Sequence, residues 1–137
     1  MTAKRARRRA NGFTLTELLV VLAIIGLLTT IVAINVLPRL DQADNRKAAA
    51  DVATLSQALE IYRLDAGRYP TSAEGLAVLA SGGAATVKRL PNDPWGRPYQ
   101  YRSPGEHGDY DLWSLGADNA PGGDGKNADV TSWQAQG

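Results

Sequence analysis

The 137 residues leave room for one small domain and one membrane segment, which argues against a two-domain enzyme. The net charge of +1 conceals an asymmetry, because five of the fifteen Lys and Arg residues fall within the first nine positions. The part beyond residue 12 is net acidic and lacks the clustered Lys and Arg of a nucleic-acid-binding face. The absence of cysteine excludes disulfides and thiolate metal sites.

A long uncharged segment follows the basic leader. From Leu18 to Leu37 the chain carries no charge, which is long enough for a helix to cross a hydrocarbon core of about 30 Å. The Lys and Arg cluster predicts that the preceding end stays in the cytoplasm and that the rest lies outside. Because no convincing small-residue cleavage site follows Leu37, a retained anchor is favoured over a cleaved secretory signal.

One carboxylate, Glu17, stands at the start of this apolar run. A charge near membrane depth costs roughly 2.5–3.5 kcal/mol and usually marks function, so we expect Glu17 to have a partner. The alternative is an interfacial glutamate whose side chain extends to water near the end of an ordinary anchor.

The segment GFTLTELLVVLAIIGLL, residues 12–28, resembles the class III signal of type IV pilins and pseudopilins. Its Gly, its aromatic residue and its Glu have the spacing of that signal. In those families a prepilin peptidase cuts on the cytoplasmic side and methylates the new terminus, which implies cleavage between Gly12 and Phe13 and N-methylation of Phe13. The resemblance also implies a partner for Glu17, the amine of a neighbouring subunit, since two charges that resist burial become tolerable when paired.

Apolar residues then recur at three- to five-residue intervals, which predicts an amphipathic helix from about Arg39 to Asp65 that stops at Gly67. Joined to the apolar run, it gives one helix from Thr14 to Ala66. Pro38 lies at the junction, whereas the resembling families more often carry proline where Ile34 stands, so two positions remain open for a bend.

The remainder predicts a small head. Thr71 and Glu74 fit a capping box for a short helix over Ala73–Ala80. Two facing strands are expected near Tyr99–Arg102 and over Tyr110–Leu115, with turns before and between them.

A glycine-rich loop from Gly116 to Asn127 follows. Asp118, Asp124 and Asp129 offer carboxylate oxygens of the kind that calcium prefers, and Asn127 offers an amide. On composition alone, a solvated acidic loop is as good an interpretation as a metal site.

The stretches RYPTSAEGL, LPNDPWGRPYQYRSPGEHGDYDLWSLGAD and GGDGKNADVTSW resemble the head of the major pseudopilin family of the type II secretion system. That family holds calcium in this loop, which implies ligands from the Leu115 carbonyl, Asp118, Asp124 and a residue near Asn127 or Asp129. Calcium would then replace the cysteine pair that type IV pilins commonly use there.

Two sets of side chains invite other interpretations. Ser103, His107 and Asp109 contain the residue types of a catalytic triad, but all three fall in one turn, which cannot aim a serine at a substrate. The three tryptophans, which are Trp95, Trp113 and Trp133, are expected to form the core of the head rather than a sugar platform.

The predicted fold class is therefore α+β and pilin-like, with a long N-terminal helix packed on a small antiparallel β head that carries a calcium-binding loop. The resemblance implies that residues 1–12 form a basic leader peptide removed by prepilin peptidase, residues 13–37 the transmembrane and polymerisation helix, and residues 38–137 the periplasmic head with the second half of the long helix. The resemblance implies a non-enzymatic, single-pass protein of the bacterial inner membrane, with its N-terminus cytoplasmic before processing.

The function so implied is that of the major structural subunit of a periplasmic fibre, which drives folded exoproteins through the outer-membrane secretin. The implied partners are copies of this chain, minor pseudopilins, prepilin peptidase, an inner-membrane platform protein and an assembly ATPase. A type IV pilin is the first alternative, against which the missing cysteines and the aspartate loop argue. A monomeric, anchored calcium-binding domain is the second, and it predicts an uncut N-terminus.

Overall fold

The computed structural model describes residues 11–81 and 86–134. The chain forms two compact units, Met1–Pro38 and Arg39–Gly137, and Pro38 lies inside a helix at their boundary. The elements are the helix α1 (Leu15–Ala66), two short 3-10 helices (Leu76–Ala80 and Gly125–Asn127) and the strands β1 (Gln100–Arg102), β2 (Asp111–Ser114) and β3 (Val130–Thr131).

The first unit contains the apolar half of α1. Its large apolar side chains are all substantially exposed, and α1 is long and apolar enough to cross a membrane. The hydroxyl groups of Thr29 and Thr30 donate to the carbonyls of Ile25 and Gly26 at 2.8 and 3.0 Å. Such bonds satisfy a hydroxyl within the helix itself, which suits apolar surroundings.

The second unit is built on the other half of α1. Ala48, Val52, Leu55 and Leu59 are buried, which confirms the predicted amphipathic stripe from Ala48 onward, whereas Leu40 at its start is 54% exposed. They form the core together with residues from the head, namely Leu76, Leu79, Tyr99 and Leu112. The predicted stop is also confirmed. Gly67 has a φ of 74° and its N–H donates to the Arg63 carbonyl at 2.8 Å, as expected for a helix C-cap.

The capping box forms, but the helix after it differs from the prediction. The Thr71 N–H donates to Glu74 at 2.7 Å and the Glu74 N–H donates to the Thr71 hydroxyl at 3.2 Å. The expected α-helix over 73–80 is instead a 3-10 helix over Leu76–Ala80, because Gly75, with a φ of 63°, interrupts the helical path. The sequence also predicts that Gly82 and Gly83 end this helix, and both lie outside the described residues.

The strands form one antiparallel sheet in the order β1-β2-β3. Both predicted strands are present, with Tyr101 opposite Leu112, and the predicted turn before β1 is closed by the Gly96 N–H on the Asp93 carbonyl at 3.0 Å. The third strand was not predicted. It has two residues and pairs Thr131 with Trp113, which is too short to show an alternating pattern.

The expectation that the tryptophans form the core is wrong. Trp95, Trp113 and Trp133 are each only half-buried, whereas Leu55 and Leu59 of α1 are fully buried. The long helix supplies enough leucine to fill the space under so small a sheet. The three indoles stay half-buried, since an amphipathic ring can remain partly hydrated.

Candidate functional site

Gly12, Phe13 and Glu17 come together at the start of α1. Phe13 is 92% exposed, and its neighbours line an apolar groove of about 630 Å³ that includes Glu17, Leu18 and Val21. Nothing in the described part of the chain lies within 4 Å of a side chain built on Gly12. The predicted cleavage point is therefore an exposed peptide outside the helix, and its Phe13 lines the same groove as the Glu17 carboxylate.

Glu17 has a local partner that the sequence interpretation missed. The Glu17 N–H donates to the Thr14 hydroxyl at 3.2 Å, and the Thr14 N–H donates to the Glu17 carboxylate at 3.4 Å. This reciprocal pair is a capping box, and its T-x-x-E pattern was readable in the sequence. Glu17 thus stabilises the first turn of α1 in the isolated chain, and its carboxylate stays exposed.

The predicted calcium ligands spread along one loop. The Asp118 carboxylate accepts the Ala120 N–H at 3.2 Å, and Asp124 precedes the 3-10 helix with an exposed side chain. Leu115, directly after β2, is half-buried, as is Asn127. Among the described residues, no three acidic or histidine side chains are grouped as a metal site.

Backbone contacts fold this loop tightly on itself. The Ala117 N–H donates to the Lys126 carbonyl at 2.9 Å. A side chain at Gly116, whose φ is 68°, would meet the Asn127 carbonyl at 2.7 Å. A side chain at Gly123 would meet the same carbonyl at the same distance. The close approach of the Asn127 backbone and the positive φ therefore require glycine at both positions. Carbonyl oxygens are ordinary calcium ligands, so such a loop needs few carboxylates.

Asp129 provides the observation that bears on a cation. One of its oxygens accepts the Gly122 N–H at 2.8 Å. The other, Oδ1, is buried and has no hydrogen-bond partner in the described structure. An ionised carboxylate with a buried, unpartnered oxygen is unfavourable unless a positive charge lies beside it. The loop therefore fits a hard cation at Asp129.

A second buried carboxylate, Asp111, was not predicted from the sequence. Asp111 is fully buried in β2 and lies opposite Arg102 of β1, whose Nη2 donates to it at 2.9 Å. It also accepts the backbone N–H groups of Glu106 and His107 at 2.9 and 3.1 Å. Burial raises the pKa of Asp111, but the bonds from Arg102, Glu106 and His107 outweigh burial and lower that pKa to about 2.

The geometry of this turn separates the residues of the triad interpretation. His107 Nδ1 lies 3.2 Å from Asp111, and its ring stacks on Trp133 with centroids 4.0 Å apart. The Ser103 hydroxyl donates instead to the backbone carbonyl of Asp109 at 3.2 Å. Asp111 thus organises the connection between β1 and β2, which is a structural task.

Known proteins resemble this chain along most of its length. A family model described as "Type II secretion system (T2SS), protein G" matches residues 35–133, and one described as "Prokaryotic N-terminal methylation motif" matches residues 7–33. The type II secretion system core protein G of Vibrio cholerae is 43% identical over 141 residues, covering 94% of this chain and 95% of that protein. Its counterpart in Escherichia coli K12 is 41% identical over 140 residues, covering 94% of both chains.

A solved structure shows the same fold. The crystal structure of the major pseudopilin from the type 2 secretion system of enterohaemorrhagic Escherichia coli matches with a TM-score of 0.63 at 35% identity. The match covers 71% of this chain and 88% of that one. The pilin-like α+β fold predicted from the sequence is therefore confirmed.

Proposed function

The chain belongs to the type II secretion system protein G family, and we propose that it acts there as a processed, polymerising subunit of the pseudopilus. It is a structural pseudopilin, and the family is one of structural subunits. The main observation in support is that one chain contains both a folded head and a membrane-length helix whose large apolar side chains are exposed. Such a surface needs lipid or other helices to cover it.

Maturation at Gly12 is the first step of this proposal. The match to the N-terminal methylation motif supports it, as does the exposed, non-helical backbone before α1. Prepilin peptidase would cut after Gly12 and methylate Phe13, which leaves a positive amine four residues before Glu17. The capping contact between Thr14 and Glu17 holds the carboxylate at that end of the helix.

The intact mass of the protein extracted from its native membrane tests this step. We expect the mass of residues 13–137 plus one methyl group. A full-length mass, or a cut after Leu37, would contradict processing and leave Glu17 without an amine to meet.

Polymerisation is the second step. In a bundle of these helices, the amine of one Phe13 would neutralise Glu17 of a neighbour, since each charge alone resists transfer to an apolar environment. The pair would also fix the register between subunits. The proposed assembly also includes minor pseudopilins, the platform protein, the assembly ATPase and the secretin pathway. It is anchored in the inner membrane with the head in the periplasm. It drives exoproteins outward.

The third part of the proposal is calcium binding by the C-terminal loop, which comprises the glycine-rich segment from Gly116 to Asn127 and Asp129 just after it. Asp129 would hold the ion with Asp118, Asp124, Asn127 and the Leu115 carbonyl as further candidate ligands. The support is the buried, unpartnered Asp129 oxygen together with the tight closure of the loop. A bound cation would supply the positive charge that Asp129 lacks and would tie the loop together in a chain without cysteine.

Chelation tests the calcium proposal on the full-length protein in detergent. At a calcium concentration of 100 times Kd, binding stabilises the folded state by about 2.7 kcal/mol, so a chelator should lower the melting temperature by several degrees. Adding calcium back should restore it. Asp129→Asn should abolish the difference, whereas Asp109→Asn, at an exposed position outside the loop, should retain it. A melting temperature of the parent protein that is the same with and without chelator would contradict the site.

A further inference from the structure

Asn45 of α1 contacts the C-terminal loop across a long stretch of sequence. Its Nδ2 donates to the Gly125 carbonyl at 2.7 Å, directly after Asp124. Because only an N–H group can donate to that carbonyl, the contact fixes the orientation of the amide, and Oδ1 must point the other way. That oxygen is buried and has no hydrogen-bond partner in the described structure.

Two residues that each carry such an oxygen line one cavity. Asn45 and Asp129 both line a surface cavity of about 350 Å³ between α1 and the end of the chain, together with Ala49 and Thr131. The buried oxygens lacking partners in the described residues include Oδ1 of each. Neither oxygen can satisfy the other, because an amide oxygen and a carboxylate oxygen are both acceptors.

The chemistry of the Asn45 and Asp129 oxygens indicates which species would bind between them. An acceptor pair needs either donors or a positive charge, and one member here carries a full negative charge. A water molecule would offer hydrogen bonds without neutralising that charge. A hard divalent cation coordinates both oxygens and neutralises the charge, since amide and carboxylate oxygens are its ordinary ligands.

We propose that Asn45 supplies its Oδ1 as a ligand to the cation held by Asp129, so that the metal joins α1 to the C-terminal loop. This inference rests on the calcium site proposed above and assigns it a ligand from outside the loop. The amide then has two tasks, with Nδ2 holding the Gly125 carbonyl and Oδ1 facing the metal. Cation binding would consequently stabilise the attachment of the loop to the helix as well as the loop itself.

Three variants of the full-length protein in detergent separate these tasks. Asn45→Ala removes both amide atoms and keeps a good helix former. Asn45→Asp keeps a ligand oxygen and loses the donor to Gly125. Gln57→Ala, at an exposed position of the same helix, is the matched control. Calcium affinity is measured by calorimetry, and the number of waters on bound europium by its luminescence decay in H₂O and D₂O.

If Asn45 is a ligand, Asn45→Ala should weaken calcium binding about tenfold or more and add one water to bound europium. Asn45→Asp should bind at least as tightly as the parent, and Gln57→Ala should match it. Equal affinity and hydration in the parent and Asn45→Ala would overturn the ligand role while leaving the loop site intact. An Asp variant as weak as the Ala variant would reduce Asn45 to a clamp on Gly125. A parent protein that binds no calcium would overturn the site and this inference together.

Discussion

Fibre assembly should be abolished by Glu17→Gln, while membrane insertion of the chain is retained. Glutamine keeps the size and hydrogen-bonding capacity of the side chain, so the change removes the charge alone. A neighbour's Phe13 amine would then enter the apolar bundle without a counter-charge, which is strongly unfavourable. Sheared fibres and membrane fractions, each probed for the subunit, measure the two properties separately.

The capping contact provides the control for this experiment. Thr14→Ala removes the hydroxyl that accepts the Glu17 N–H and leaves the carboxylate charge in place. Loss of a cap costs a helix about 0.5–2 kcal/mol, which a long helix tolerates. We therefore expect fibres from Thr14→Ala. If Thr14→Ala loses fibres to the same extent as Glu17→Gln, Glu17 acts by capping the helix terminus. Normal fibres from Glu17→Gln would refute the charge pair.

Marked destabilisation of the head is the expected result of Asp111→Ala. The change leaves the guanidinium of Arg102 and two backbone N–H groups without their acceptor. Because the Arg102 side chain is 40% exposed and can be hydrated, the cost lies below that of a fully buried ion pair, at about 1–3 kcal/mol, a substantial part of the roughly 5–15 kcal/mol that stabilises a typical domain. Near-ultraviolet circular dichroism and chemical denaturation measure it. Asp109→Ala, an exposed acid in the same turn, should leave stability nearly unchanged.

The pH dependence of stability follows from the same carboxylate. Because the pKa of Asp111 in the folded protein is lowered to about 2 from an ordinary 3.8, its contribution is complete above pH 3.8 and is lost as the pH falls toward 2. Glu74, whose pKa the Arg68 guanidinium and the Thr71 N–H also lower to about 2, acts in the same window. The melting temperature should therefore fall between pH 4 and pH 2. In Asp111→Asn the fall should be smaller, and an identical pH profile would show that Asp111 is not responsible.

The features that the sequence predicted well have local causes. A run without charge from Leu18 to Leu37 can only be satisfied by a helix in apolar surroundings, and the stripe over the second half of α1 follows from its 3.6-residue period. The capping box at Thr71 and the stop at Gly67 depend on neighbouring residues alone. The N-terminal methylation motif, which a family model also matches, is likewise one contiguous stretch.

Contacts between distant residues decided the rest. Asp111 is one acid among many in the sequence. Only the register of β1 against β2 sets it opposite Arg102 and within reach of the N–H groups of Glu106 and His107 in the turn between the two strands. Asn45 looked like one more polar residue of α1, and packing placed it against Gly125, 80 positions later. Sequence by itself therefore determined the membrane helix, the amphipathic stripe, the caps and the family signal, because each arises within a few turns of chain. Only the tertiary structure decided which buried oxygens lack partners among the described residues and that the tryptophans stay half-buried, because both depend on how the whole chain fills space.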